Sequence, residues 1–252
     1  MSSRKLRYIS LFAGIGGFDL GFDRAGMECA VQVENDEFCL SVLEKHWPHV
    51  PRIKDIRDAN RTNLPSVDVI CGGFPCQDVS VAGKRLGLRG ERSTLWDEFY
   101  RIICEIRPRW VVIENTMGLL SSDEGEFFAK ILREISQAGY DAEWHTLSAC
   151  AFGAPHTRER VFIVAYPHSV RREGVLRQDV YGQVASKKSG AWHSAGNPFE
   201  DHAVLMGTPG VCVLPDGVPS TVAIRPALRG YGNAVVPQIA EFIGRCIIAQ
   251  EN

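Results

Sequence analysis

Cys76 lies in the run Cys71-Gly-Gly-Phe-Pro-Cys-Gln77, directly after the apolar stretch Val67 to Cys71. The proline before it fixes the local backbone, and the two glycines let a substrate approach the main chain, so the thiol is presented rather than packed. Most cysteines in soluble proteins are small buried hydrophobes; a nucleophilic reading therefore rests on what accompanies this one. Glu114 follows the apolar stretch Trp110 to Ile113, and a carboxyl buried at a strand end has a raised pKa suited to proton transfer. Arg158 and Arg160 alternate on an extended segment that runs into Val161 to Ala165. Their side chains then point the same way and reach one site.

The elements that would position these groups alternate along the chain. Tyr8-Ile-Ser-Leu-Phe12 reads as a first strand, followed by the glycine turn Ala13-Gly-Ile-Gly-Gly17 and a helix over Phe18 to Ala25. Such a turn brings backbone N–H groups and the positive end of a helix to a bound carboxylate or phosphate. Cys29 to Val33 reads as a second strand with Glu34 at its end, where an acid commonly receives ribose hydroxyls. Asp55-Ile56 follows the mixed segment Val50 to Lys54; the carboxylate would accept from an adenine amine while the isoleucine packs the ring. The ligand so described is an adenosine with a charged tail. Helices are predicted over Asp36 to Trp47, Thr94 to Ile106 and Glu124 to Ala138, with extended segments over Ala142 to Leu147 and Val161 to Ala165. The alternation implies a mostly parallel sheet with helices on both faces and a ligand at the strands' carboxyl ends, near the switch in strand order. Cys76, Glu34, Asp55 and Glu114 all fall at such ends.

Composition agrees with one moderately large α/β domain: 252 residues, 45% apolar, net charge −2. The near-neutral charge excludes a strongly basic nucleic-acid binder but leaves room for a local basic face. Eight scattered cysteines with no Cys-x-x-Cys pair and no His cluster at ligand spacing speak for a reduced cytoplasm and against zinc. No stretch approaches a membrane span, and the start Met1-Ser-Ser-Arg-Lys5 shows no secretory signal.

At this point the chain resembles the DNA (cytosine-5)-methyltransferase family. Phe12-Ala-Gly-Ile-Gly-Gly17 resembles the family's S-adenosylmethionine loop, Gly73-Phe-Pro-Cys-Gln77 its nucleophile loop, and Glu114-Asn115-Thr116 its Glu-Asn-Val motif. His156-Thr-Arg-Glu-Arg160 resembles the Gln-x-Arg-x-Arg motif and Gly232-Asn-Ala-Val-Val-Pro237 the closing Gly-Asn motif. The ordered motifs extend from the first strand to the last helix. His156 stands where the family has glutamine, and Thr116 where it has valine. Neither position carries the bond-making step.

The resemblance implies an α/β, Rossmann-like class I S-adenosylmethionine-dependent methyltransferase fold, with one antiparallel strand near the sheet edge and a short irregular recognition insertion. It also implies methyl transfer to carbon 5 of cytosine in DNA. That carbon is too poor a nucleophile to be methylated directly, so the Cys76 thiolate would add at carbon 6 of a flipped base, turning the ring into an enamine. Glu114 would act at ring nitrogen 3 and the exocyclic amine, carrying its proton there. Arg160 would bind the 2-oxo group, Arg158 would support the glutamate and the DNA backbone, and Asn115 would hold the nucleophile loop. The expected cofactor contacts are Phe12, Gly14, Ile15, Gly17, Glu34, Asp55, Ile56, Gly73, Pro75, Leu95, Asn233 and Ala234. DNA contacts are expected at Ser80, Lys84, Arg85, Arg92 and His156, most of them in the Gly-rich basic stretch Asp78 to Arg92, which would close on DNA.

From Tyr166 to about Val222 the strand and helix rhythm stops. The expected division is a catalytic and cofactor-binding domain over 1–165, a short target-recognition region over 166–222, and a C-terminal segment over 223–252 that returns to the catalytic domain, its helix Pro237 to Ile248 closing the sheet against the first strand. The expected partner is double-stranded DNA, with a restriction endonuclease as a possible companion, for a monomeric, cytoplasmic protein of prokaryotic or phage origin without metal or membrane contact. Two alternatives stay open: cytosine-5 methylation of tRNA, and a non-catalytic remnant that binds cofactor or DNA.

Overall fold

The computed structural model describes residues 4–75, 91–154, 156–170, 172, 174–176, 230 and 232–251, with the side chains of 91–94 outside the description. Among these, strands β1 (Arg7–Leu11), β2 (Glu28–Val33), β3 (Arg52–Ile53), β4 (Val69–Gly72), β5 (Trp110–Thr116), β6 (Tyr140–Ser148) and β7 (Glu159–Pro167) form one sheet in the order β3-β2-β1-β4-β5-β7-β6. The first five strands run parallel, and β7 lies antiparallel between β5 and β6. The antiparallel strand implied by the resemblance is therefore present, one place in from the edge. The helices are α1 (Gly17–Ala25), α2 (Glu37–His46), α3 (Glu91–Ile106), α4 (Glu126–Gln137) and α5 (Pro237–Glu251).

Both faces of the sheet are buried along its central strands, while the edge strand β6 is partly exposed. Tyr8, Val69, Cys71, Trp110, Val112, Phe162 and Val164 point into a core shared with α1 and α5. Their neighbours Ile9, Leu11, Ile70, Val111, Ile113, Val161 and Ile163 point into the core under α3 and α4. Ser10 falls on the α1 face and would leave a stranded hydroxyl there. It is met by Asp19, a fully buried acid of α1 that also accepts from Gln32 of β2 at 2.9 Å. Among the described residues no cation hydrogen-bonds to Asp19; burial pushes its pKa up while these donors pull it down.

The C-terminal helix packs mainly on α1 rather than directly on the first strand, because glycine removes the side chains at their crossing. A Cβ on Gly21 would collide with Ala240 and stand 2.7 Å from the Glu241 nitrogen, and one on Gly244 would stand 2.9 Å from the Ala25 Cβ. Most of the expected recognition region, 177–222, lies outside the described residues. Its first part does not: Tyr166 and Pro167 complete β7, and Arg172 with Val175 packs at the end of the sheet where β5 begins. Among the described residues, no helix is long and apolar enough to cross a membrane.

Candidate active site

The strand order reverses between β1 and β4, and an open cleft of about 270 Å³ lies at the strand ends there. Phe12, Gly14, Glu34 to Asp36 and Cys39 line one side. Gly73 to Pro75, Glu114 to Thr116, Arg158 and Arg160 line the other, and Gly230 and Asn233 close it. Because β7 runs antiparallel, its first residues meet the last residues of β5, with Thr116 opposite Arg160. Motifs far apart in sequence thus arrive at one sheet end.

On the first side, the chain leaves β1 through Phe12 at φ 51°, a left-handed conformation uncommon for an aromatic residue, and continues through Gly14 at φ 57° and Gly16 at φ 86°. Glu34 is fastened to this turn. Its carboxylate accepts from the Gly14 N–H at 2.7 Å, and from the Asn35 and Asp36 N–H groups at 2.9 and 2.8 Å. A carboxylate has about four acceptor sites, so with three taken one remains, on the oxygen that meets Gly14, for an incoming hydroxyl. Gly16, the residue that opens α1, has no side chain to cap its first turn, whereas Asp36 caps α2 by accepting from the Cys39 N–H at 3.0 Å. A Cβ at Gly14 would meet nothing within 4 Å, which leaves the main chain open for close approach. Phe12 and Phe74 supply apolar lining on the two sides. These features fit an adenosine carrying a charged tail.

On the second side, Glu114 is 7% exposed and pairs with Nε of Arg160 at 3.1 Å. Burial pushes its pKa up to about 7, against the opposing pull of Arg160 and Arg158. Gly73 makes room for it: a Cβ there would stand 2.6 Å from the Glu114 carboxylate. Asn115 donates to the Phe74 carbonyl at 3.2 Å and accepts from the Thr116 N–H at 2.8 Å, which fixes the loop leading to Cys76. Cys76, Ser80, Lys84 and Arg85 lie outside the described residues, as does the side chain of Arg92 in α3. Arg158 donates to the main-chain carbonyls of Gly232 and, at 3.0 Å, Ala234, and burial lowers its pKa to about 10. Burial also lowers the pKa of His156, which does not line the cleft.

A probabilistic family profile described as C-5 cytosine-specific DNA methylase matches residues 6–196. The chain belongs to this family. It is thereby classed among the DNA (cytosine-5)-methyltransferases, whose cofactor is S-adenosylmethionine. It is 39% identical over 175 residues to the type II methyltransferase M.AquIA of Picosynechococcus sp., covering 63% of this chain and 71% of that one. It is 34% identical over 161 residues to M.HhaI of Haemophilus parahaemolyticus, covering 64% and 49%. The chain thus spans about half the length of the second relative. Among solved structures, a prophage-encoded DNA modification methyltransferase (E. coli) matches with TM-score 0.59 and 27% identity over 68% of this chain and 50% of that one.

Against the family pattern, six of the twelve expected cofactor residues do not line the cleft. Asp55 does not line the cleft: its carboxylate is taken by the neighbouring Arg57, with Nε and Nη2 at 2.9 and 2.5 Å, and that pairing lowers its pKa to about 2. Ile56 is 4% exposed and belongs to the core under α3 that also holds Ile70 and Phe99. Ile15 and Ala234 are buried in a small cluster with Leu20 and Cys39, behind the glycine turn, and Leu95 packs on the α3 core. A Cβ on Gly17 would collide with the Val235 main chain, so that glycine serves the junction with the C-terminal segment. Asn35, Asp36, Cys39 and Gly230 line the cleft without having been expected there. The position of Asn35 and Asp36 directly after Glu34 was the available signal; Cys39 and Gly230 carried none. Among the described residues no group of three or more His, Cys, Asp or Glu is arranged to hold a metal.

Proposed function

We propose that this chain methylates carbon 5 of cytosine in DNA through a covalent Cys76 adduct on a flipped base. The observation that carries the reading is Glu114: a buried carboxyl with a pKa near neutrality, clamped by Arg160, facing a loop that runs straight into Cys76. S-adenosylmethionine, when bound, supplies an electrophilic methyl group. Glu34 would accept from a ribose hydroxyl, the Phe12 and Phe74 rings would flank the adenine, and the first turn of α1 would face the carboxylate tail.

The residues then divide the chemistry. The Cys76 thiolate bonds to carbon 6, and the carbon 5–carbon 6 electron pair moves into the ring as protonated Glu114 supports nitrogen 3. That leaves carbon 5 nucleophilic. Carbon 5 would take the methyl group, leaving S-adenosylhomocysteine; it would then lose its proton to water, nitrogen 3 would return its proton to Glu114 as the ring double bond reforms, and the thiolate would leave. Arg160 orients Glu114 and keeps further N–H donors for the base. Asn115 holds the loop that delivers the thiol. Ser80, Lys84, Arg85 and Arg92 would meet phosphates, and residues 166–222 would contribute target recognition between the catalytic part, 1–165, and the returning segment, 223–252.

DNA containing 5-fluorocytosine tests the reading, since fluorine blocks the final elimination. With cofactor present, we expect a stable protein–DNA adduct that disappears in Cys76→Ser. An equally strong adduct in that variant would overturn the nucleophile assignment, and methylation of tRNA with none of duplex DNA would overturn the substrate.

A further inference from the structure

Arg158 and Arg160 sit two residues apart on the same side of the chain, yet they do different things. Arg160 turns to Glu114 at 3.1 Å. Arg158 is fixed at its main chain, whose carbonyl accepts from the Ala149 N–H at 2.9 Å, and its guanidinium reaches across to the C-terminal segment. One terminal nitrogen donates to the Gly232 carbonyl and the other to the Ala234 carbonyl. Those two carbonyls flank Asn233, a residue that lines the cleft. Burial holds the apolar part of this segment, Ala234 beside Ile15 and Leu20 and Val235 with Val236 in the core under α1 and α5, whereas Arg158 is what grips the main chain on either side of Asn233.

We infer that Arg158 is a positioning residue for the cofactor: it clamps the main chain on both sides of Asn233 and so sets the affinity of the cleft for the cofactor before any DNA is bound. This rests on the cofactor assignment proposed above and departs from the role the family resemblance gives Arg158, support of the glutamate and the DNA backbone. The clamp needs a planar fork, since two carbonyls on alternate residues are met by two separate nitrogens. A lysine keeps the charge but offers a single point donor. Arg158→Lys should therefore weaken the wall while leaving the local charge in place.

The test is binding of S-adenosylhomocysteine, the demethylated cofactor, by calorimetry without DNA, together with hydrogen exchange of the amides of 232–236. We expect Arg158→Lys to bind about tenfold more weakly and those amides to exchange about tenfold faster, with the amides of β5 unchanged. Arg160→Lys should bind within about twofold of the unaltered protein. Unchanged affinity in Arg158→Lys, or an equal loss in Arg160→Lys, would overturn the inference. Should Arg158→Lys fold poorly, Arg158→Gln, whose donors sit on one nitrogen of a shorter side chain, should show the same two changes, and normal affinity and exchange there would be equally fatal. An unaltered protein that fails to bind S-adenosylhomocysteine would sink the cofactor assignment itself, and the exchange experiment would still decide whether the clamp exists.

Discussion

Glu114 shows how one side chain acquires a working pKa. The carboxyl is taken out of water at the end of β5, which penalises its charged form, and Arg160 offsets only part of that penalty. Two outcomes follow. Glu114→Gln should lower kcat by about 10²-fold or more, as loss of a positioned proton donor does, while leaving cofactor affinity near normal. In the unaltered protein, addition to the base should fall as pH rises above about 7, because the protonated form is lost. Stability carries the same signature. The folded carboxyl keeps its proton at pH values where the unfolded one, at its ordinary 4.5, has released it. Its contribution is thus complete below about 4.5 and lost as pH rises through about 7, a difference on the order of 3 kcal/mol. Urea midpoints of the protein and Glu114→Gln, compared from pH 4.5 to 8, should diverge across that window.

At the scale of elements, the site depends on glycines that let main chains or side chains come unusually close. Gly73→Ala would drive a methyl group into the Glu114 carboxylate. Because the flaw is confined to the site, we expect at least a tenfold loss of kcat with a melting temperature within a few degrees of the original. Gly21→Val acts elsewhere, wedging α1 from α5 at Ala240 and Glu241. Overpacking of this kind costs about 1–3 kcal/mol, so its urea midpoint should fall while the residues around Glu114 keep their geometry. The α1–α5 crossing also serves the cleft, since α1 opens with the cofactor turn and α5 begins just after Asn233.

Over the whole molecule, one buried ionic cluster joins three distant parts of the chain. Glu251, near the end of α5, accepts from Arg172 at 2.9 Å and from the Trp110 indole at 3.0 Å, and it also pairs with Arg109. The Arg172 guanidinium lies 4.4 Å from the centre of the Trp110 ring. Removing one partner strands the others, so Glu251→Ala should destabilise the fold by about 3 kcal/mol, read from urea unfolding. The cluster lies where β5 begins, at the opposite end of that strand from Glu114. Methylation per folded molecule should therefore stay near normal in this variant.

Much of this was legible in the sequence. The alternation of apolar runs with helical stretches gave the strands and helices of the catalytic part, because burying both faces of a parallel sheet leaves a strong local pattern. The glycine turn, Glu34, the loop before Cys76, Glu114 and the two arginines were visible because their chemistry restricts residue type. What local pattern could not show was where side chains go once competing partners are near. Asp55 looked like an adenine acceptor until Arg57 satisfied its carboxylate, Ile56 went to the core, and Arg158 bonded to carbonyls some seventy residues on, at Gly232 and Ala234. The sequence by itself determined which elements form and which groups can react. Only the tertiary structure decided which partner each group takes, because hydrogen bonds and burial are settled by nearness in space rather than along the chain.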